Sequence, residues 1–219
     1  MIRHHPGAEM LAEYTAGRLS AGAMLVVACH VERCALCRDD VATWESVGGR
    51  FLEDTSPEPL SGSALATTLA AIANEDVGRA PARTERPRLP RYLERFSVPK
   101  ALAEQSIGFR RWVTPNIWFA PINVGPDSGT CYLVFGRAGT VLSRHTHKGR
   151  EFTNVIYGSF HDGSGTFGLN DFEEADDSLL HAPTVAAEGD CLCIASAQSP
   201  MQFVGWRARI VQTALGKLY

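Results

Sequence analysis

The polar and apolar positions divide this chain into two stretches with different periods. Over residues 1–53 the spacing is helical. Met10, Leu11 and Tyr14 fall three and four residues apart, which is one helix face, and Gly17 supplies a stop. Ser20 suits the N-cap of a second helix carrying Met24, Leu25, Val27 and Ala28. A third helix is expected from Asp39 to about Phe51, with Trp44 and Val47 on its inner face. Ser56-Pro57-Glu58 joins a capping side chain, a proline for the first turn and an acid for the positive end of the dipole. The helix it predicts, about 58–74, sets Leu65, Leu69 and Ile72 on one face. Ser61, Ser63, Ala66, Thr67 and Ala70 make the other face small and uncharged. A solvated helix normally carries charge there, so either a partner covers this helix or the chain buries it.

Residues 75–91 interrupt the periodicity. The run GRAPARTERPRLPR is rich in arginine and proline and nearly free of large apolar side chains. Proline blocks helix and strand ladders and like charges extend the chain, so the segment reads as a tether. From about residue 92 short apolar or alternating runs take over: Ile117–Ile122, Cys131–Phe135, Phe152–Tyr157, Cys191–Ala195, Met201–Val204 and Ala208–Thr213. Turn signals such as Gly125-Pro126-Asp127, Asp162-Gly163-Ser164-Gly165 and Glu188-Gly189-Asp190 separate them. Many short strands at such spacing indicate an all-β sandwich or barrel. The expected fold is therefore two-domain α + β: a small all-α domain (1–74), a tether (75–91) and an all-β domain (92–219).

Composition narrows the function. With 219 residues the chain can bury a core without disulfides or metals to fold it. Its formal charge of −3 argues against direct nucleic-acid binding. No apolar run is long enough to cross a bilayer, and the polar start lacks a signal-peptide core, which predicts a cytoplasmic protein. In a reducing compartment its six cysteines are metal-binding, redox-active or buried rather than disulfide-bonded.

Two constellations carry chemistry. In His30-x3-Cys34-x2-Cys37 the three side chains can converge on one point at helical spacing. Thiolates and a neutral imidazole suit tetrahedral Zn²⁺, and His4 and His5 are the candidates for a fourth ligand. Cys29 points away from the trio and reads as a small buried side chain. The second constellation is His145-x-His147-x3-Glu151 with a later His181. Residues two apart share a strand face, and His181 would arrive on a returning strand. Three imidazoles and a carboxylate can hold Zn²⁺, Fe²⁺, Mn²⁺ or Ni²⁺. His161 reads as a turn residue. Arg137, Arg144 and Arg150 are either surface charges or partners for a carboxylate, and Cys191 and Cys193 are either core residues or oxidant-sensitive thiols.

The stretch RHTHKGREFTNVIYGSFHDGSG closely resembles the first metal motif of the cupin superfamily, and DDSLLHAPTVAAEGDCLCI resembles the second. The N-terminal IRHHP and CHVERCALC resemble the zinc-binding anti-sigma domain. The two in this order are similar to the ChrR-type anti-sigma factors, and the resemblance spans nearly the whole chain apart from the tether. It implies a jelly-roll cupin barrel in the second half. It favours His5 over His4 beside His30, Cys34 and Cys37 as ligands of a structural zinc. It assigns His145, His147, Glu151 and His181 to the cupin metal, zinc first, with Fe²⁺, Mn²⁺ or Ni²⁺ as alternatives. It further implies a non-enzymatic regulator that holds an ECF sigma factor and releases it on an oxidative signal, singlet oxygen or an organic peroxide. Pairing of cupins into a homodimer is compatible with it. The rival class is a cupin metalloenzyme of dioxygenase type, which leaves the N-terminal zinc motif without a role.

Overall fold

The structure, a computed structural model, describes residues 1–74, 87–125, 130–199 and 202–203. Four helices come first: α1 (Ala8–Thr15), α2 (Ala21–Arg33), α3 (Ala35–Glu53) and α4 (Ala64–Asn74). A 3-10 turn (Arg91–Leu93) and α5 (Lys100–Ala103) lead into short strands: β1 (Ser106–Ile107), β2 (Arg111–Thr114), β3 (Ile117–Asn123), β4 (Thr130–Gly136), β5 (His145–Thr146), β6 (Glu151–Tyr157), β7 (Phe160–His161), β8 (Thr166–Phe167), β9 (Phe172–Ala175), β10 (Thr184–Val185), β11 (Cys191–Ala197) and β12 (Gln202–Phe203). The expected strand over 208–213, most of the tether and the Pro126-Asp127 turn lie outside the described residues.

Local chemistry sets the helix ends. Ser20 Oγ accepts from the Ala23 amide at 3.3 Å, the cap its position predicts. Helix α3 starts at Ala35, ahead of the expected Asp39, because Cys34 leaves helical geometry (φ −107°, ψ 112°) and restarts the chain at once. Trp44 and Val47 do not face inward. They are 37% and 41% exposed, since α3 touches α1 and α2 near its start and then runs on past them. Helix α4 begins at Ala64, not at the Ser56-Pro57-Glu58 signal. Pro59 disfavours helical backbone at Glu58, so residues 56–63 stay outside the helix.

All strand pairings are antiparallel. The main sheet runs β1-β3-β4-β11-β6-β9, with β2 also on β3. The smaller sheets β10-β7-β8 and β12-β5 complete the barrel. Strand β11 is buried along its whole length, so both of its faces are covered. Cys191 and Cys193 turn inward to Val155, Phe160, Phe167 and Val185. Leu192 and Ile194 turn outward into the cluster that holds Leu25, Val26, Met10 and Leu11. Helices α1 and α2 and the outer sheet face thus share one apolar core.

Two contacts seat the helices. A Cβ on Gly22 of α2 would fall 2.4 Å from Ser196 Oγ of β11, so only glycine permits that approach. Arg150 reaches Glu174 at 2.7 Å and Glu13 of α1 at 3.3 Å, which gives that arginine a structural role rather than a ligand-binding one.

Candidate metal centres

The first centre forms where α2 stops. His30 lies in the last turn of α2, Cys34 in the break and Cys37 in the first turn of α3. The three converge through this kink, not along one continuous helix. His5 joins them from the strand-like N-terminus, while His4 points elsewhere, its Nε2 3.1 Å from the Thr166 carbonyl. His5 Nδ1 is 3.3 Å from Cys34 Sγ and 3.5 Å from Cys37 Sγ, and His30 Nε2 is 3.3 Å from Cys37 Sγ. A tetrahedral zinc with Zn–S of about 2.3 Å and Zn–N of about 2.0 Å sets such neighbours roughly 3.5 Å apart, so the donors fit the ion. The Asn170 carbonyl, 2.8 Å from His30 Nδ1, can only accept, so Nδ1 carries the proton and Nε2 offers its lone pair inward. Burial holds the His30 imidazole down to about 4, neutral at physiological pH. Burial, and then the Cys34 thiol beside it, push Cys37 up to about 12 without a cation. A cation is what such a thiol needs in order to ionise. Cys29 is fully buried, as expected.

The second centre is buried among the strands of the barrel. His145 lies on β5, and its backbone pairs antiparallel with His181: His145 N donates to His181 O at 3.0 Å and His181 N to His145 O at 3.1 Å. This is the returning segment that the sequence predicted. Between His147 and Glu151 the chain bends at Gly149, whose φ of +90° and close approach to Gln198 exclude a side chain. The bend turns Glu151 back toward the histidines. His147 Nε2 stands 3.0 Å from His181 Nε2 and 3.2 Å from Glu151 Oε2. His145, His147, Glu151 and His181 are all buried. His145 and His147 are each lowered to about 4, chiefly by burial. Burial raises the Glu151 carboxyl, against the hydrogen bond that Tyr132 Oη donates to it. Crowded, neutral ring nitrogens and a buried carboxyl, with no bulk water to compensate them, fit a divalent cation.

A third group stands behind His181. Its Nδ1–H donates to Asp162 Oδ2 at 2.6 Å, and Glu173 Oε1 lies 3.9 Å away. Burial alone would raise Asp162, but hydrogen bonds from His181, Glu173 and Ser164 hold it well below the usual carboxylate range. Glu173 is pushed up to about 10 by burial and by Asp162, and its Oε1 has no hydrogen-bond partner. Sequence reasoning missed both acids. Asp162 reads as an ordinary turn residue, and it does cap Ser164 and Gly165; Glu173 sits in Phe-Glu-Glu-Ala, where nothing marks one glutamate as buried. His161 is an exposed member of β7, not a turn residue.

An apolar cavity of about 60 Å³ adjoins this centre, reached by His145, Glu151, His181 and Glu173 and walled by Phe119, Val185 and Cys193. Cys191 and Cys193 are buried core residues whose sulfurs lie 3.6 Å apart.

Comparison with known proteins agrees with this architecture. Residues 102–200 match the family model described as the ChrR cupin-like domain. The chain is 34% identical over 213 residues to the anti-sigma-E factor ChrR of Cereibacter sphaeroides, covering 96% of this chain and 97% of that one. It also resembles a chain in the crystal structure of Rhodobacter sphaeroides SigE in complex with the anti-sigma ChrR, at 30% identity and a TM-score of 0.71, over 90% of this chain and 99% of that chain.

Proposed function

This chain belongs to the ChrR family of anti-sigma factors, and from that premise we propose that it sequesters an ECF sigma factor and so regulates transcription negatively. The observation that carries the reading is helix α4. Its Leu65, Leu69 and Ile72 are 72%, 56% and 60% exposed, and the helix buries no residue at all. Leu36, Phe51 and Leu52 of α3 are exposed as well. Apolar surface of this extent on two elements consecutive in the chain marks a binding region. Among the described residues nothing covers it, so of the two alternatives the sequence left for α4, a partner is the one we adopt.

In this reading residues 1–74 grip the sigma factor, 75–91 are the tether and 92–219 sense the signal. His5, His30, Cys34 and Cys37 hold zinc, which would fix the turn between α2 and α3 and so the angle at which α3 leaves the core. His145, His147, Glu151 and His181 hold a second divalent metal, zinc before Fe²⁺, Mn²⁺ or Ni²⁺. An oxidative signal, singlet oxygen or an organic peroxide, would act at the cupin centre and weaken the grip. The chain would act in the cytoplasm as a regulator and not as an enzyme. Release requires that the signalled state bind the sigma factor less well than the resting state.

The test is co-expression of the full chain with the ECF sigma factors of its own genome. The expected result is a one-to-one complex containing zinc, which Cys34→Ser/Cys37→Ser abolishes. A folded, metal-loaded chain that captures none of them would sink the reading, and oxygen-dependent turnover by the iron-loaded cupin would then favour the enzyme class.

A further inference from the structure

One short segment of the barrel touches both metal centres. Asp162 accepts from His181 Nδ1 at 2.6 Å. The Asn170 carbonyl accepts from His30 Nδ1 at 2.8 Å. Asp171 Oδ1 accepts from the amides of Arg3 at 2.6 Å and His4 at 3.1 Å, and the Phe172 amide donates to the His4 carbonyl at 3.1 Å. These bonds lay the N-terminus along the start of β9 and set the position of the next residue, His5. The ring of Phe172 meets the His30 ring edge-on at 5.8 Å. Glu173 follows immediately and turns to the opposite centre, 3.9 Å from His181. Residue 170 is held with φ +64°, an uncommon geometry for a non-glycine residue, while Asn154 of β6 donates at 3.1 Å to the carbonyls of both Asn170 and Asp171. Strand β6 also begins at Glu151.

We propose that Asp162 and Glu173 at one centre and Asn170 and Asp171 at the other are positioning residues carried on one segment, and that this segment couples the two centres in metal affinity. This rests on the metal-ligand assignments above. The outer partner of a ligating histidine fixes which nitrogen carries the proton and how the ring is aimed. Here those partners for His181 and His30, and the backbone anchors of His5, all come from residues 162–173. The structure shows the N-terminal strap, Arg3 to His5, docked on β9, and the coupling requires a second arrangement in which it is released. Filling the cupin centre draws on His181, whose Nδ1 faces Asp162 and Glu173. Phe172 and Asp171, next to Glu173 in the chain, hold the strap. A well-ordered β9 therefore favours the docked strap and a completed Cys34/Cys37 centre.

Contiguity alone is not coupling; reciprocal linkage is. The experiment uses the full chain and Co²⁺ as probe. Thiolate-to-cobalt charge transfer reports the Cys34/Cys37 centre, because the other set has only nitrogen and oxygen donors. Its affinity against a competing chelator is measured with the cupin centre intact and with His145→Ala/His147→Ala. The expected result is a loss of about fivefold or more when the cupin centre is removed, at the lower end of typical coupling. In an Asp171→Ala background the same removal should change affinity by less than about twofold, as the double-mutant cycle requires. Asp171→Asn, which keeps the shape and an acceptor oxygen, should fall between and guards against a folding defect. Wild-type protein that binds two metals, with the thiolate centre indifferent to the cupin centre, would overturn the coupling alone. Wild-type protein that binds no metal at one of the centres would overturn the ligand assignment and the coupling with it.

Discussion

At the residue scale each centre holds a histidine whose proton is placed by an oxygen acceptor. His30 donates to a carbonyl and His181 to Asp162, so each presents a bare Nε2 to its centre. Replacing Asp162 by asparagine should lower cupin metal affinity about 10- to 100-fold, measured by chelator competition, the usual loss for an outer partner of a ligating histidine. Asp162→Glu should recover part of it. Glu173 makes a pH prediction for the metal-free chain. Its folded pKa is raised to about 10, above the ordinary carboxylate value of 4.5, by burial first and then by Asp162. The folded state therefore holds a proton that the unfolded state gives up, so this group's contribution is fully present below pH 4.5 and is lost as pH rises toward 10. Glu173→Gln keeps the shape of the neutral acid. Its stability should match wild type near pH 4 and exceed it increasingly at higher pH, by no more than about 1.4 kcal/mol per unit, in denaturant melts of metal-free protein.

At the element scale α2 and α4 are opposites. Helix α2 buries most of its length, against β11 on one side, with Gly22 pressed to Ser196. Gly22→Val should cost about 1–3 kcal/mol through overpacking, read as a lower melting temperature. Helix α4 buries nothing. Leu69→Asp should leave the stability of the free chain within about 0.5 kcal/mol, as a surface change does. The same substitution should weaken sigma-factor capture at least about tenfold, which is the size of a truncated interface anchor. Both helices show the helical period in sequence, and the pattern of apolar positions does not distinguish them. Whether an apolar stripe is covered by the chain itself depends on where the preceding segment leads, and α4 begins only at Ala64, after the non-helical residues 54–63.

At the scale of the molecule, α1, α2 and the barrel share a core. Leu25, Val26, Met10 and Leu11 lie in one cluster with Leu192, Ile194, Leu133 and Trp118. A fragment ending near residue 85 would lose that cover and expose the inner faces of α1 and α2. It should melt well below the full chain and bind a hydrophobic dye, and sigma-factor capture is better assayed with the whole protein.

What the sequence determined by itself was the chemistry and the class of fold. Ligand types and short spacings survive any arrangement: His30, Cys34 and Cys37 are near one another along the chain, and so are His145, His147 and Glu151. Period 3.6 and then period 2 gave the order of helices and strands, and the paired motifs gave the family. The tertiary structure alone decided what depends on residues distant along the chain. It brought His5, which the resemblance already favoured, to His30, Cys34 and Cys37 and turned His4 to the Thr166 carbonyl, because Asp171 and Phe172 lay the N-terminus along β9. It buried Glu173 and set Asp162 behind His181, since only the closed barrel brings those strands together. It turned α3 and α4 outward, because the sheet face that could have covered them was already filled by α2 and the apolar residues clustered with it.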